Sequence, residues 1–433
     1  MKYQAPRGTQ DILPNQINKW QKILETSKSI LEYYSFKEIV IPVFEHTELF
    51  QRSVGESTDI VNKEMYTFLD RSERSLTLRP EATAGILRAY IENNLTREPK
   101  PVKLWCYGPM FRYERSQTGR YRQFHQINAE VLGSLSSFIE IESMHMLWNL
   151  FNELNIDFRI EINSLGDEIS RKSYKEYFQK YTKGFLGDLC NDCKRRYEEN
   201  PLRMLDCKVK KDQEIYAGAK KPIEFLNKES ENKWEEIKNQ LDLYKDKDQK
   251  SIQNIVTNPN LVRGLDYYND FVFEIKSTSE KLKGQSTICA GGRYDSLVKD
   301  LGGPETPGYG FAIGIERVML TMEEVKEKSL KIMILSNQPE IYNFTSDLYK
   351  ESQKENLKLN IEINYNPVNI SKQIESALKK NIDLVIFYLS DEKEKNKIKI
   401  KCLHTKKETE LPVNAKDFVK LTLEKINANS NPE

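Results

Sequence analysis

The 433-residue sequence predicts an α+β protein carrying a helical insertion and a separate C-terminal α/β domain. Three observations lead there. Residues 110–133 read as two strands joined by a turn, and strand-like, glycine-bearing sequence resumes at Val262. Between them, from about Asp167 to Lys250, the texture changes to charged helical sequence such as KSYKEYFQKY and NKWEEIKNQLDLY. The tail alternates strands and helices, the pattern of a compact domain with a mainly parallel sheet. At this length one ordinary core does not suffice, and two to four domains are expected.

Charges nearly cancel, with 66 Lys and Arg against 65 Asp and Glu, so any nucleic-acid contact must come from local patches rather than a global field. Charged residues make up 30% of the chain and no apolar run approaches bilayer length, which predicts a soluble protein with no membrane association. The segment MKYQAPRGTQDILP is polar and has no apolar signal core, which makes the cytoplasm the default location. Of six cysteines, only Cys190, Cys193 and Cys207 have metal-like spacing. Three thiolates without a nearby fourth Cys or His form an incomplete zinc set. They read as ordinary reduced cysteines, and no metal held by a dedicated protein site is expected.

Residues 15–34 repeat apolar side chains at helical spacing through Ile17, Trp20, Ile23, Leu24, Ile30 and Leu31. FKEIVIPVFEHTELF reads as a strand interrupted by Pro42, which has no amide for a ladder and so belongs at an edge or an interface. LRPEATAGILRAYIENN starts a helix close to Pro80, with Glu81 and Thr83 in its first turn. In MFRYERSQTGRYRQFHQINAEVLG, alternation puts Met110, Arg112 and Glu114 on one face of a first strand. Ser116 to Arg120 let the chain reverse, and Phe124, Gln126, Asn128 and Glu130 share one face of the second strand. Cations, carboxylates, an amide and a ring on one face suit a ligand with a flat ring, anionic oxygens and an amine. A solvated amphipathic hairpin has the same composition.

DYYNDFVFEI and QSTICAGGRYDSL supply two more strands. The adjacent Tyr267 and Tyr268, if on a strand, face opposite ways, so at most one lines a given pocket. GYGFAIGIERVML is a buried strand entering a helix, with Arg317 in the first turn, where free amides and the helix dipole favour phosphate oxygens. Pairing of Arg317 with Glu316 or solvent is the alternative. No P-loop or dinucleotide fingerprint is present.

Arg112 with Glu114, Phe124, Gln126 and Glu130, then Arg263 with Tyr268, then Arg317, occur in the order found in one family. Through RGTQDILP, PVFEHTELF, TLRPEATAG, the hairpin, LVRGLDYY and AGGRYDSLVKDLGGPETPGYGFAIGIERV, the sequence resembles the histidyl-tRNA synthetases, which are class II aminoacyl-tRNA synthetases. The likeness spans residues 1 to about 325. LVRGLDYY and AGGRYD are the segments that separate histidyl enzymes from prolyl, threonyl and glycyl relatives.

The resemblance implies a class II synthetase-type antiparallel sheet flanked by helices. It implies a catalytic core of residues 1–166 and 251–325, a helical insertion domain of residues 167–250, and a C-terminal α/β anticodon-binding domain of residues 326–433. The implied reaction joins L-histidine to ATP, with Mg²⁺ shared by the phosphates, giving histidyl-adenylate and pyrophosphate. Histidine then passes to the 3′ end of tRNA(His). A homodimer is implied, with Pro42 at its interface.

By the same resemblance Arg112 and Arg263 are the catalytic cations beside the α-phosphate. ATP would be held by Arg112, Glu114, Arg120, Phe124 and Arg317, with Phe124 stacked on adenine, Glu114 accepting its amino group, and Arg120 and Arg317 on the outer phosphates. Histidine would be held by Glu81, Ala82, Thr83, Arg112, Gln126, Glu130, Arg263, Tyr267 and Tyr268. In that set Glu130 and Tyr268 read the two ring nitrogens, and Glu81, Thr83 and Gln126 take the α-amino group. Ala82 stands where the family usually has glycine. Arg115 and Gln117 match positions that read the acceptor end of tRNA.

In the tail, Lys395, Lys397, Lys399 and Lys401 alternate with Ile398, Ile400 and Cys402, giving one cationic strand face. RNA contact and an edge strand guarded against aggregation are the two readings. The rival of another class is a regulatory subunit of ATP phosphoribosyltransferase, which keeps the synthetase-like core without charging tRNA. Those paralogues tend to lose the motif arginines and the tail, and this chain keeps both.

Overall fold

The computed structural model describes residues 3–55, 58–243, 254–282, 286–325, 329–364 and 369–430. The chain forms two compact units, Met1–Val325 and Lys326–Glu433.

The first unit opens with α1 (Ile17–Tyr33), which buries Trp20, Ile23 and Leu31 from the apolar stripe. FKEIVIPVFEHTELF does not form one strand. It gives β1 (Lys37–Glu38), β2 (Phe44–His46) and the start of α2 (Thr47–Val54), with Pro42 in none of them. The proline carries no ladder amide, and its carbonyl and that of Ile41 are taken by the Arg79 guanidinium, at 3.3 and 3.1 Å. The split sends β1 to an edge of one sheet and β2 to an edge of another. β3 (Tyr66–Leu69) and β4 (Ser75–Leu78) complete the small antiparallel sheet β2-β4-β3. The next helix, α3, spans Thr83–Glu92, so it begins after Glu81 rather than around it.

β5 (Val102–Phe111) and β6 (Gln123–Leu132) form the expected hairpin, paired from Val102↔Leu132 to Phe111↔Gln123. Its first limb ends earlier than the alternation of Met110, Arg112 and Glu114 predicted. After a last cross-hairpin bond from the Arg112 amide to the Arg122 carbonyl (2.9 Å), the Glu114 amide turns back to the Arg112 carbonyl (2.8 Å) and that of Tyr113 goes to Glu64 (2.7 Å), so residues 113–121 leave the ladder. α4 (Phe138–Glu153) and β7 (Phe158–Ser164) follow. Four helices then intervene: α5 (Glu168–Thr182), α6 (Asn191–Glu199), α7 (Lys210–Ala217) and α8 (Lys228–Leu243). The expected end of the insertion at residue 250 lies outside the described residues.

β8 (Ile255–Thr257), β9 (Asn269–Ser277), β10 (Thr287–Arg293), α9 (Leu297–Asp300), β11 (Gly308–Gly314) and α10 (Ile315–Thr321) close the unit. Its main sheet has the order β1-β5-β6-β11-β10-β9-β7-β8, antiparallel from β5 to β7 and parallel at both edges. Period-two alternation gives each face its own task. Ile127, Ala129 and Val131 of β6 enter the main core with α1, α4 and α8. On the opposite face α3 packs Leu87 and Tyr90 against Leu132, Val272 and Tyr294.

The second unit contains β12 (Leu330–Ser336), α11 (Ile341–Lys354), β13 (Leu359–Asn364), α12 (Ile370–Lys379), β14 (Leu384–Tyr388), α13 (Ser390–Glu394), β15 (Lys397–Cys402), β16 (Glu408–Pro412) and α14 (Ala415–Ser430). The sheet order is β13-β12-β14-β15-β16, with the first three strands parallel and the last two antiparallel. β15 lies inside the sheet, which removes the edge-strand reading of its lysines. Lys397 pairs with Glu410 (3.2 Å), and Lys399 and Lys401 pair with Glu408 (2.8 and 3.0 Å), while Lys395 precedes the strand. Among the described residues no helix is long and apolar enough to cross a membrane.

Candidate active site

The sheet face that carries α3 opens into a cavity whose walls come from the hairpin, the segment before β9, β10, β11 and the start of α10. One end is built around a buried carboxylate. Glu81 stands ahead of α3 and accepts from the amides of Thr83 (2.6 Å) and Ala84 (2.9 Å), satisfying two of the free donors at the helix start. Thr83, fixed by that cap, donates its hydroxyl to Glu130 Oε1 at 2.7 Å. The other oxygen of Glu130 accepts from the Tyr294 hydroxyl. Glu130 is 1% exposed and lies just behind the cavity wall, and burial pushes its carboxyl up to about 8 despite both donors. Two glycines of β11 make room for this pair. A Cβ on Gly310 would collide with the Glu130 carboxylate, and one on Gly308 with the Tyr294 ring.

The other end is cationic. Arg112 donates Nε to the Pro80 carbonyl at 2.8 Å, and its guanidinium stands 5.4 Å from the centre of the Phe124 ring. Arg120 pairs with Glu114 at 2.6 Å. Arg317 donates to the carbonyls of Gly119 (2.9 Å) and Thr287 (2.8 Å), which ties α10 to the hairpin loop and to β10. Burial, and then the charge of Arg120, hold the Arg317 guanidinium below its ordinary pKa, the mark of a site short of negative charge. Arg263 pairs with Glu274 of β9 and lies 5.9 Å from the centre of the Tyr268 ring.

Tyr267 and Tyr268 both line the cavity, with ring centres 4.6 Å apart. The expectation that at most one could do so fails because β9 begins only at Asn269. Both tyrosines precede it in irregular backbone, which imposes no alternation. Gln126 and Thr83 also line the cavity. Ala82 does not, being fully buried at the start of α3. Arg115 and Gln117 are exposed on the hairpin loop outside the cavity, where paired backbone hydrogen bonds of 3.1 and 2.8 Å between Gln117 and Arg120 close a tight turn. Pro42 is exposed and also outside it.

A sequence model described as histidyl-tRNA synthetase matches residues 8–318. The chain belongs to the histidyl-tRNA synthetase family. Among its relatives, the histidine–tRNA ligase of Bacillus subtilis (strain 168) is 41% identical over 421 residues, spanning 95% of this chain and 96% of that one. The histidine–tRNA ligase of Desulfitobacterium hafniense (strain DSM 10664 / DCB-2) is 48% identical over 322 residues, 74% of this chain and 73% of that one. The crystal structure of apo S. aureus histidyl-tRNA synthetase superposes with a TM-score of 0.75 at 33% identity, covering 95% of this chain and 97% of the other. A Bacillus halodurans C structure described as an ATP phosphoribosyltransferase regulatory subunit/histidyl-tRNA synthetase shares the fold, at 17% identity and a TM-score of 0.64 over 90% of this chain and 99% of that one.

Two residues around this cavity, Tyr294 and Glu274, carried no role in the sequence, and Glu316, offered there as a partner for Arg317, pairs elsewhere. Glu316 accepts from the His125 amide (2.9 and 3.0 Å) and lies 2.9 Å from His125 Nδ1, locking α10 to β6. Glu274 and Glu316 each interrupt an apolar strand or strand–helix junction, which is the signal they offered, whereas Tyr294 stands between Arg293 and Asp295 just past β10 and offered none.

Proposed function

We propose that this cavity joins L-histidine to ATP and that the same chain then esterifies the 3′ end of tRNA(His). The observation that carries the proposal is the pairing, in one cavity, of a guanidinium cluster beside an aromatic ring with a buried carboxylate beside a phenol. A polyanion with a flat base suits the first half, and an imidazole suits the second.

In the first step the histidine carboxylate attacks the α-phosphorus in line and pyrophosphate leaves. No protein nucleophile takes part. Arg112 and Arg263 hold the two anions together and stabilise the charge that builds on the phosphate, so the rate comes from positioning and electrostatics. Phe124 stacks on adenine while Glu114 accepts its amino group, and Arg120 and Arg317 take the outer phosphates. Mg²⁺ would enter as part of the substrate, bound to the ATP phosphates, and would add positive charge there. Glu130 accepts from one ring N–H of histidine, each of its oxygens keeping a lone pair beyond the bonds to Thr83 and Tyr294. Tyr268 pairs with the second ring nitrogen and Tyr267 packs beside it. Glu81, Thr83 and Gln126 receive the α-amino group, with Ala82 setting the backbone between them.

In the second step Arg115 and Gln117, exposed on the hairpin loop, meet the acceptor end of the tRNA. Residues 326–433 bind the anticodon, residues 167–250 act as a separate insertion domain, and the protein works in the cytoplasm. A homodimer fits the strip of exposed apolar side chains Val40, Val43, Phe44, Phe68 and Leu69 around Pro42.

The test is pyrophosphate exchange into ATP with each of the twenty amino acids in turn. Exchange with histidine alone is expected. Histidine binding without exchange would reject the synthetase reading in favour of a regulatory protein on the same fold.

A further inference from the structure

We propose that Cys190, Cys193, Cys207 and Asp212 bind one Zn²⁺ that staples the helical insertion together. Their donor atoms all lie within 4.8 Å of one another. The sulfurs of Cys190 and Cys207 are 3.8 Å apart, and Cys207 Sγ is 3.4 Å from Asp212 Oδ2. These separations match the edges of a tetrahedron around zinc: Zn–S bonds of about 2.3 Å leave sulfurs roughly 3.8 Å apart, and a Zn–O bond of about 2.0 Å leaves S···O near roughly 3.5 Å.

The local fold presents the donors together. Cys190 caps α6 and Cys193 lies in its first turn, Cys207 ends the short turn Pro201–Asp206, and Asp212 lies in the first turn of α7. The amides of Cys193 and Val209 donate to the sulfurs of Cys190 and Cys207, each at 3.4 Å, which orients the sulfurs as ligands. Asp212 is the independent observation. Its side chain is fully buried and accepts from the Cys190 amide at 3.2 and 3.3 Å, and among the described residues no lysine, arginine or histidine pairs with it. A buried carboxylate without a cation is strongly disfavoured. A divalent ion removes that penalty.

The donor set selects the metal. Three thiolates and one carboxylate in a closed tetrahedral group suit Zn²⁺, whereas Mg²⁺ and Ca²⁺ take oxygen ligands. The sequence offered only Cys and His as candidates for the fourth position, and the fold supplies an aspartate. The staple has a structural load to carry. The apolar cluster of the insertion is small, built on residues such as Tyr174, Phe178, Met204 and Tyr216. From α6, Arg195 and Arg196 pair with Asp59 at 2.6 and 3.1 Å, and beyond it Arg203 donates to the Gly264 carbonyl at 2.9 Å. Ile60 and Gly264 line the cavity, so the metal fixes the helix that braces two of its edges.

The experiment is elemental analysis by plasma mass spectrometry of the full-length chain purified without chelator, which is expected to hold about one zinc per chain. Cys193→Ser and Cys207→Ser should lose the zinc, Asp212→Asn should release it faster to a chromogenic chelator, and Cys402→Ser should leave it unchanged. Metal-stripped wild-type protein given Co²⁺ should develop the visible spectrum of tetrahedral thiolate-bound cobalt and lose it on adding Zn²⁺, a readout that needs no variant to fold. A chain that holds no zinc and gives no such cobalt spectrum overturns the proposal. So does a Cys190–Cys207 disulfide recovered from protein prepared without air.

Discussion

Glu130 makes histidine use depend on pH in a specific way. With its carboxyl raised to about 8 by burial, it is mostly protonated in the free protein at neutral pH. Free histidine, with a ring pKa of about 6.5, arrives neutral. The proposed complex needs one proton between them, a carboxylate facing an imidazolium that donates to both Glu130 and Tyr268. Between those two values the partners bring that one proton jointly. Above about 8 neither brings it, so kcat/KM for histidine declines as pH rises through that value. Glu130→Gln cannot ionise and should lose this alkaline decline while lowering kcat/KM roughly 10- to 100-fold, the worth of a charged hydrogen bond. Pyrophosphate exchange across the pH range reads both effects. An unchanged alkaline limb in the variant would show that another group titrates there.

At the scale of elements, β11 is the strand that makes the proposed histidine pocket possible, because Gly310 leaves the space that the Glu130 carboxylate fills. Gly310→Ala should raise KM for histidine by roughly 5- to 150-fold, the effect of about 1–3 kcal/mol of overpacking. KM for ATP should hold within about twofold, since only the far end of the cavity is disturbed. Equal losses for both substrates would mean that the strand itself had shifted. The same element shows what the sequence could and could not reveal. The shared strand face of Phe124, Gln126, Asn128 and Glu130, the first three lining the cavity, needed only the period of a strand. Residues 113–121 did not follow that period because the amide of Tyr113 bonds to Glu64, a partner far away in sequence. The Tyr294 ring lies against Gly308 and the Glu130 carboxylate against Gly310, contacts between segments distant in sequence, and Tyr267 and Tyr268 precede their strand, so no local pattern disclosed their arrangement. Nor did spacing bring Asp212 into view beside three cysteines. The resemblance, not periodicity, supplied the roles of the arginines.

For the whole molecule, the first unit has exposed apolar side chains where a soluble surface would carry charge. Phe44 and Phe68 pack edge to face at 6.3 Å on adjoining parts of the small sheet, both exposed. If this strip joins two copies, sedimentation equilibrium should return twice 50.7 kDa. Phe44→Glu should shift the protein toward single chains and reduce exchange activity with them. A wild-type chain that sediments as a monomer at micromolar concentration would remove the dimer from the proposal. The second unit carries its own warning for tRNA binding. The lysine face of β15 is neutralised by Glu408 and Glu410, so it is a weaker attractor for phosphate than its sequence suggested.

The guanidinium wall is built before any substrate arrives, held by the carbonyls of Pro80, Gly119 and Thr287. Such a wall does not tell an incoming triphosphate from a departing diphosphate. What it offers the one as a welcome it offers the other as a reason to stay, and the adenylate left behind is reactive enough to recapture it. The direction of the reaction is therefore not written into the cavity. It is set by what removes the two products, transfer of the histidyl group in the second step and destruction of the released anion elsewhere, so part of the forward flux of this enzyme depends on a hydrolysis it does not perform.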